Sequence, residues 1–385
     1  MDFVVKAKTP IYTGDANRES RTIRETGIIG GLRWWYEALM RGKGRSICDP
    51  TIDKNCECDA CKLFGNTSGA RKFRLRFEDF KPQNIQTGTI NVKIDDGTGW
   101  YLPEGKMGEF NLSINGLRGN QSLVEKRIPA LLKLMENWGA IGAKNYIGYG
   151  VFDLNYKDGK PVILSKADAD ELLKPILDAN GKKRDEPSLS RMFFCKVNLD
   201  FSDTLKYDPK IDKFDTSDFT REGVADQKLV EKCINKGFLP TSAHIRYRLR
   251  SAFRPGKSAL PSLSEIKSDK FKELLENLRH NTIGSTEGDK KGSKIAASHC
   301  YLWNKAKSIW QMRIWGYIPE RYIPEGVNSK LIVMDLKKCF EDVDFWRSCL
   351  YNKSLELEKT PDFRYISYYS VDYYNTFVKD LILNP

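Results

Sequence analysis

Histidine is almost missing: the 385 residues hold three, and none precedes position 244. Imidazole acid–base chemistry would have to use His244, His280 or His299, and each position reads more readily as packing or capping than as a catalyst. No apolar run approaches the ~18 residues of a membrane-spanning helix, which argues against a membrane partner. The opening MDFVVKAKTP reads directly as a strand without a signal-peptide pattern, so a cytosolic protein is expected. Nine cysteines, an odd number without even spacing, do not make a secreted disulfide framework. The chain also lacks a P-loop and a dinucleotide fingerprint. No set of convergent carboxylates stands out to hold the ions of a two-metal nuclease.

What is abundant is positive charge. Lys and Arg number 63 against 51 Asp and Glu, a net charge of +12. Such an excess points to a polyanionic partner, nucleic acid before anionic membrane. The length suits two domains of ordinary size.

The stretch Thr26 to Gly42, TGIIGGLRWWYEALMRG, reads as the helix around which the first half is organised. Ile28, Ile29, Leu32, Trp35, Tyr36, Leu39 and Met40 recur at helical spacing, while Arg33, Glu37 and Arg41 sit four apart on another face. Thr26 is placed to cap the start and Gly42 to end the helix in a left-handed conformation. Gly30 and Gly31 each cost roughly 1 kcal/mol in a helix relative to Ala, so something is expected to approach the backbone there. Flanked by Arg18, Arg21, Arg24 and Arg33, the helix start is a candidate anion seat, a buried helix packed tightly at glycine being the plainer reading.

Farther on, Phe73, Leu75 and Phe77 alternate with Lys72, Arg74 and Arg76. A strand puts the first set on a core and the second on the opposite face as a cationic stripe. Arg41, Lys43, Arg45 and Arg71 add charge around the same region. Strands at 2–8, 73–77 and 107–116, helices at 26–42 and 121–138, and a strand after residue 150 follow the order β-α-β-β-α-β. A hairpin is inserted over 85–101, with DDGTG as its turn. This is the split βαβ pattern of RRM-type nucleic-acid binders. The expected fold is α+β, with two tandem ferredoxin-like domains carrying inserted loops. Residues 1–160 form the first, 161–190 the linker and 191–385 the second. In the second half, strands are expected near 192–201 and in LIVMDL, a hairpin over 294–318, and helices over 222–236, 264–279 and 337–351. The Tyr-rich far end, SYYSVDYYNTF, suits a packed amphipathic helix.

Two loops carry candidate chemistry. WGAIGAKNYIGYG places Gly139, Gly142, Gly148 and Gly150 around Lys144, Asn145 and Tyr146. Glycine lets a backbone approach a ligand and Lys144 can neutralise phosphate, although a turn between helix and strand would look similar. Cys48, Cys56, Cys58 and Cys61 crowd one polar loop. Cys58-x-x-Cys61 with two thiolates upstream suits a structural Zn²⁺, a redox pair or free thiols being the alternatives. Cys195, Cys233, Cys300, Cys339 and Cys349 sit in apolar patterns and suit the core.

Taken together and in order, TPIYTG, RETGIIGGLRWWYEAL, CxCxxCKLFGNTSGARKFRLRF and GAIGAKNYIGYG resemble the RAMP superfamily of CRISPR proteins. They are most similar to the first RAMP subunit of the type III-B, or Cmr, effector complex. SKIAASHCYLW and SIWQMRIWGY fit that family's second domain more loosely. The resemblance implies two ferredoxin-like domains in a prokaryotic, cytoplasmic ribonucleoprotein. It implies partnership with guide (CRISPR) RNA, target RNA and other RAMP subunits, at the 3′ end of the guide. Backbone paralogues of that family cut with an Asp in the loop before the helix; here Glu19 stands at the comparable position. The expected role is therefore binding without catalysis. The cationic strand, helix start and Gly-rich loop would form one positive surface, with Tyr12 and Tyr146 stacking on bases. An RNA-processing endonuclease on the same fold, using one of the histidines, is the alternative, and a scaffold held by protein contacts alone is a third reading.

Overall fold

Phe3, Val5 and Ala7 alternate with polar residues and bury one face of β1 (Asp2–Ile11). The structure, a computed structural model, describes the chain except for residues 16, 18, 50–52, 54–55, 86–87, 92–98, 178–186, 217–226, 255–257, 265–271, 286–290 and 367–368. Arg18, most of the DDGTG turn, the stretch 178–186 of the expected linker, and the expected helical residues 222–226 and 265–271 lie outside the described residues.

After β1 come α1 (Glu25–Gly42), α2 (Asp59–Phe64), β2 (Phe73–Ile85), the hairpin β3 (Gly88–Asn91) and β4 (Gly99–Leu102), β5 (Gly105–Gly116), α3 (Gln121–Trp138), β6 (Phe152–Tyr156) and α4 (Lys166–Leu173). The first sheet is antiparallel, in the order β2-β5-β1-β6. Helices α1 and α3 pack on its apolar face.

The second half runs β7 (Phe193–Asp200), β8 (Lys206–Asp208), β9 (Lys213–Asp215), α5 (Gln227–Asn235), β10 (Phe238–Leu239), α6 (Ser242–Ala252), α7 (Pro261–Ser264) and α8 (Lys272–Ile283). It continues with β11 (Ile295–Ala297), β12 (Cys300–Asn304), β13 (Ile309–Gly316), α9 (Ser329–Glu341), α10 (Val343–Leu350), β14 (Glu356–Leu357), β15 (Asp362–Tyr365) and α11 (Val371–Leu383). Here β12-β13-β7 are neighbours, with β14 and β15 on the far side of β7. The chain is thus mixed α+β with antiparallel sheets, and both large sheets have the first strand of their half in an interior position.

Several expectations change in detail. LIVMDL lies in α9 and not in a strand: Ile332, Val333, Leu336 and Phe340 share a buried helical face, and Asn328 caps the start by accepting from the Leu331 N–H. A short apolar run does not distinguish strand from helix by itself. The strand at the N-terminus does not stop at Thr9-Pro10. Proline cannot donate to the ladder, and the pairing with β5 shifts register between Ala7 and Ile11 instead of ending. Thr26 does not cap α1, which starts one residue earlier with Arg24 at the cap position and no side-chain cap. Within the expected linker, α4 carries a capping box between Ser165 and Asp168 and buries Ala169, Leu172 and Leu173.

The cores form two clusters, and the first, built on the first sheet, also takes in Phe194, Ala296 and Trp315 from the second. The C-terminal α11 belongs to the first, where Tyr374, Val378, Leu381 and Ile382 are buried. Its last carbonyls would be left without intrahelical partners. Asn137 Nδ2 donates to Leu381 and Ile382 O, and Trp138 Nε1 to Leu381 O, all at 2.9 Å.

Gly42 does not leave the helix in a left-handed conformation; it is the close-approach point for α11. A Cβ built there would lie 2.4 Å from the Tyr374 hydroxyl, which donates to Leu39 O at 2.6 Å. Gly42→Ala is therefore expected to destabilise the chain by about 1–3 kcal/mol through overpacking. Chemical denaturation should show this, with part of the loss recovered in Gly42→Ala combined with Tyr374→Leu. An unchanged midpoint would mean that α11 does not dock there.

Candidate nucleic-acid interface

The loop after α3 is anchored first to β1. Ala143 N donates to Tyr12 O at 2.7 Å, Gly150 N to Pro10 O at 2.9 Å, and Ile141 N to Gly150 O at 2.8 Å. Between them, residues Asn145–Ile147 make one 3₁₀ turn, entered at Lys144 (φ 59°). The loop meets α1 at Gly31, but a Cβ there would lie 3.6 Å from Gly142 O, an ordinary contact, so no approach close enough to require glycine is made. Gly30 faces open space, and nothing in the structure explains it.

The second half holds the same loop from behind. His299 N donates to Gly148 O at 3.1 Å. Gly148 has φ +106°, and a Cβ there would meet the His299 ring at 2.6 Å, so only glycine fits on both counts. His299 is fully buried between Tyr149 and Phe238, and its Nδ1 accepts from Ser242 N at 3.3 Å. Burial lowers its pKa from 6.5 to about 3.

In front of the loop is an open crevice shared by both halves, lined by Trp34, Lys144, Asn145, Tyr146, Lys294 and Trp315 among others. Trp34 and Tyr146 are 38% and 41% exposed, so each offers a ring face. Tyr12 does not: it is 4% exposed, with Lys144 Nζ 4.4 Å above its ring. Its stacking role is corrected by its burial, and Tyr12 serves as the floor beneath Lys144.

The other predicted cations divide sharply. Arg33 donates to Glu37 at 2.8 Å, to Gly65 O and to Cys61 Sγ at 3.2 Å. Arg41 donates to Glu37 at 3.2 Å and to Pro187 O at 3.3 Å. Lys43 reaches Leu173 O at 2.6 Å, and Arg45 reaches Asp59 at 3.1 Å and Leu177 O. All four tie the Cys-rich loop and the chain beyond α4 onto α1, so the expectation that they face RNA is not met. Arg24 is exposed, 4.0 Å from Asp15.

The β2 stripe behaves as its alternation indicates. Phe73, Leu75 and Phe77 are buried and Arg74 and Arg76 exposed, while Arg71 and Lys72 are half-buried near the Cys-rich loop. It does not join the crevice in one surface. Arg76 lies opposite Ser113, and Ser113 opposite Asp2, whereas the Gly-rich loop meets Tyr12 ten residues along β1. At ~3.3 Å per residue that is about 33 Å. The open sheet face between is mixed, with Lys6 opposite both Glu109 and Asp153.

The four loop cysteines do converge. Their Sγ atoms all lie within 4.8 Å of one another, with Cys48 3.2 Å from Cys61 and 3.5 Å from Cys58. Tetrahedral thiolates at ~2.3 Å from a Zn²⁺ would be about 3.8 Å apart, so this set could hold a metal ion. Hydrogen bonding from Cys61 holds the Cys58 thiol down to about 4, and the same contact pushes Cys61 up. Burial pushes Cys48 up. Arg33 adds positive charge beside this shared thiolate.

One group escaped the sequence reading. Arg246, in α6, is 9% exposed, with its guanidinium 5.1 Å from the Tyr146 ring and 5.0 Å from Trp100. The only trace in the sequence is the spacing of Arg246, Arg248 and Arg250 two apart. The remaining histidines are away from the loop: His244 is buried edge-on to Tyr351, and His280 lies 3.5 Å from Glu276.

The RAMP superfamily family model matches residues 4–153, the span from β1 into β6. No curated protein sequence matches the chain. Among solved structures, the chain is similar to apo Cmr1 from Pyrococcus furiosus at 12% identity, over 92% of this chain and 97% of that one, with a TM-score of 0.38. Two chains in cryo-EM structures of a type III-B Cmr-beta bound to cognate target RNA match at 14% and 13% identity. Each match covers 88% of this chain and 99% of the other, with TM-scores of 0.43 and 0.42; the second structure also carries AMPPnP in the presence of ssDNA. Among the described residues no helix is long and apolar enough to cross a membrane.

The buried His299 makes a pH prediction. Its folded pKa is depressed, so the unfolded chain takes up the proton first. Stability from this site is full above about pH 6.5 and is lost as pH falls from there toward about 3. In His299→Gln the loss of unfolding free energy between about pH 7 and pH 5 should be smaller than in the natural chain. Equal losses would mean the imidazole is not held neutral behind the loop.

Proposed function

We propose that this chain, which carries a RAMP-superfamily domain over residues 4–153, is a non-cutting RNA-binding subunit of a type III-B CRISPR ribonucleoprotein. It holds the 3′ region of the guide RNA together with its target RNA and sits beside other RAMP subunits in a prokaryotic cytoplasm. The reading includes two tandem ferredoxin-like domains, 1–160 and 191–385, joined through 161–190. The shared topology of the two sheets supports this.

The observation that carries the reading is the crevice: two exposed aromatic faces, Trp34 and Tyr146, beside Lys144 and Lys294 in a chain of net charge +12. Base stacking on aromatic rings and neutralisation of phosphates by lysine are the two elements of sequence-tolerant single-strand binding. Arg74 and Arg76 are a separate backbone contact on the far face of the first sheet. Binding without cutting is supported by the histidines, since His299 and His244 are buried and His280 is beside Glu276. Glu19 is ion-paired with Arg21 at 2.7 Å, beside a loop whose Asp15 carboxylate accepts the Asn17 and Glu19 N–H groups. The metal of the cysteine cluster is Zn²⁺, and its role is structural: it would be held by Cys48, Cys56, Cys58 and Cys61 and would pin the loop beside Arg33.

Two outcomes test this. Tyr146→Ala should weaken single-stranded RNA binding by ~1–3 kcal/mol, and Lys144→Ala should lower the slope of log affinity against log salt by about 0.7, with no RNA fragments from any variant with or without Mg²⁺. Unchanged affinity and slope would move the site elsewhere, and fragments lost on substituting a histidine or Glu19 would make the chain a nuclease. Elemental analysis should find about one Zn per chain, absent from Cys58→Ser and Cys61→Ser. Four freely alkylated thiols in native, metal-free protein would refute the metal.

A further inference from the structure

Arg246 is placed as few arginines are. Its Nη2 donates to Ile283 O at 2.8 Å, but Nε and Nη1 are buried without a hydrogen-bond partner among the described residues. The Trp100 and Tyr146 rings both lie against the guanidinium, at 5.0 and 5.1 Å. Cation–π contacts supply no hydrogen-bond acceptor, and buried N–H groups of a charged side chain are costly to leave without one. Buried polar groups are nearly always partnered in native proteins, and an unpartnered pair points to an absent ligand. Arg250, one turn along α6, donates to Gly284 O at 2.6 Å and adds a second positive charge nearby. The two buried donors of Arg246 therefore suit an anion.

The cover over Arg246 can move more readily than its base. Tyr146 belongs to the 3₁₀ turn of the Gly-rich loop, whose two flanking residues, Lys144 and Gly148, both have left-handed backbone, and its ring is the exposed side of the stack. Trp100 is half-buried against the first core. Turning the Tyr146 ring toward the crevice would open the Arg246 guanidinium to the same crevice that Tyr146 lines. Nη1 there is a charge-assisted donor for a phosphate oxygen.

We propose that Arg246 binds a backbone phosphate of the RNA strand held in the crevice, with Tyr146 turning from its cover position to stack on the adjoining base. This rests on the RNA-binding reading of the crevice, and it makes the second half of the chain a direct contributor to a site that the sequence motifs place in the first half.

The test uses the full chain and labelled single-stranded RNA. Arg246→Gln should lower the salt slope by about 0.7 and weaken binding roughly tenfold. Arg246→Lys should keep the slope and lose several-fold in affinity, because it keeps the charge and loses the planar donor group that the two rings and Ile283 O hold in place. Salt-dependent binding by the natural chain with an unaltered slope in folded Arg246→Gln overturns this assignment alone, and absence of RNA binding by the natural chain overturns the crevice reading with it. Should Arg246→Gln fail to fold, ultraviolet crosslinking of the natural chain decides. Adducts at Tyr146 or Trp100 support the proposal, and adducts confined to residues 73–77 refute it.

Discussion

The contact between His299 and Gly148 joins the two halves at the point where both contribute to the crevice. A neutral, buried ring occupies the volume a side chain at 148 would need, and the backbone N–H of His299 donates to the Gly148 carbonyl. On the opposite side the loop is bridged to Tyr12 at the end of β1. A loop clamped on two sides can hold Tyr146 and Lys144 outward on strained or left-handed backbone without collapsing onto the core. The crevice, the covered Arg246 and the approach of Gly142 to α1 all follow from that clamp.

Charge on this chain is divided between two tasks. Arg33, Arg41, Lys43 and Arg45 are half-buried and bind carbonyls and carboxylates, where they hold an otherwise polar Cys-rich loop and the chain after α4 against α1. Glu37 and Asp59 offset part of their charge. Arg74 and Arg76 stay in water, on a sheet face whose other strands carry acids as well as bases. A net charge of +12 therefore does not spread evenly, and the lysines around the crevice act beside aromatic rings instead of within a broad cationic sheet.

Much of this was legible. The apolar spacing of α3 located it at 121–138, and the alternation in β2 put Arg74 and Arg76 outside. Four cysteines in one loop signalled convergence. What was not legible depends on distant partners. Nothing near Tyr12 announces that Lys144 will cover its ring, and nothing near Gly42 announces Tyr374, more than three hundred residues later. LIVMDL carries strand-like residues, and only the cap at Asn328 and the core it meets make it a helix. Arg246 sits in a helix whose arginines look like a solvated face, and its burial is set by Trp100 and Tyr146 from the other half of the chain.

The central claim is that RNA lies in the crevice between the Gly-rich loop and the second half. Hydrogen exchange of the full chain, with and without single-stranded RNA, tests it most directly. The account predicts that added RNA slows exchange in residues 139–150, at the start of α1 and in residues 292–299, with a smaller effect over 73–77. Protection confined to β2, or unchanged exchange across the loop at saturating RNA, would contradict it.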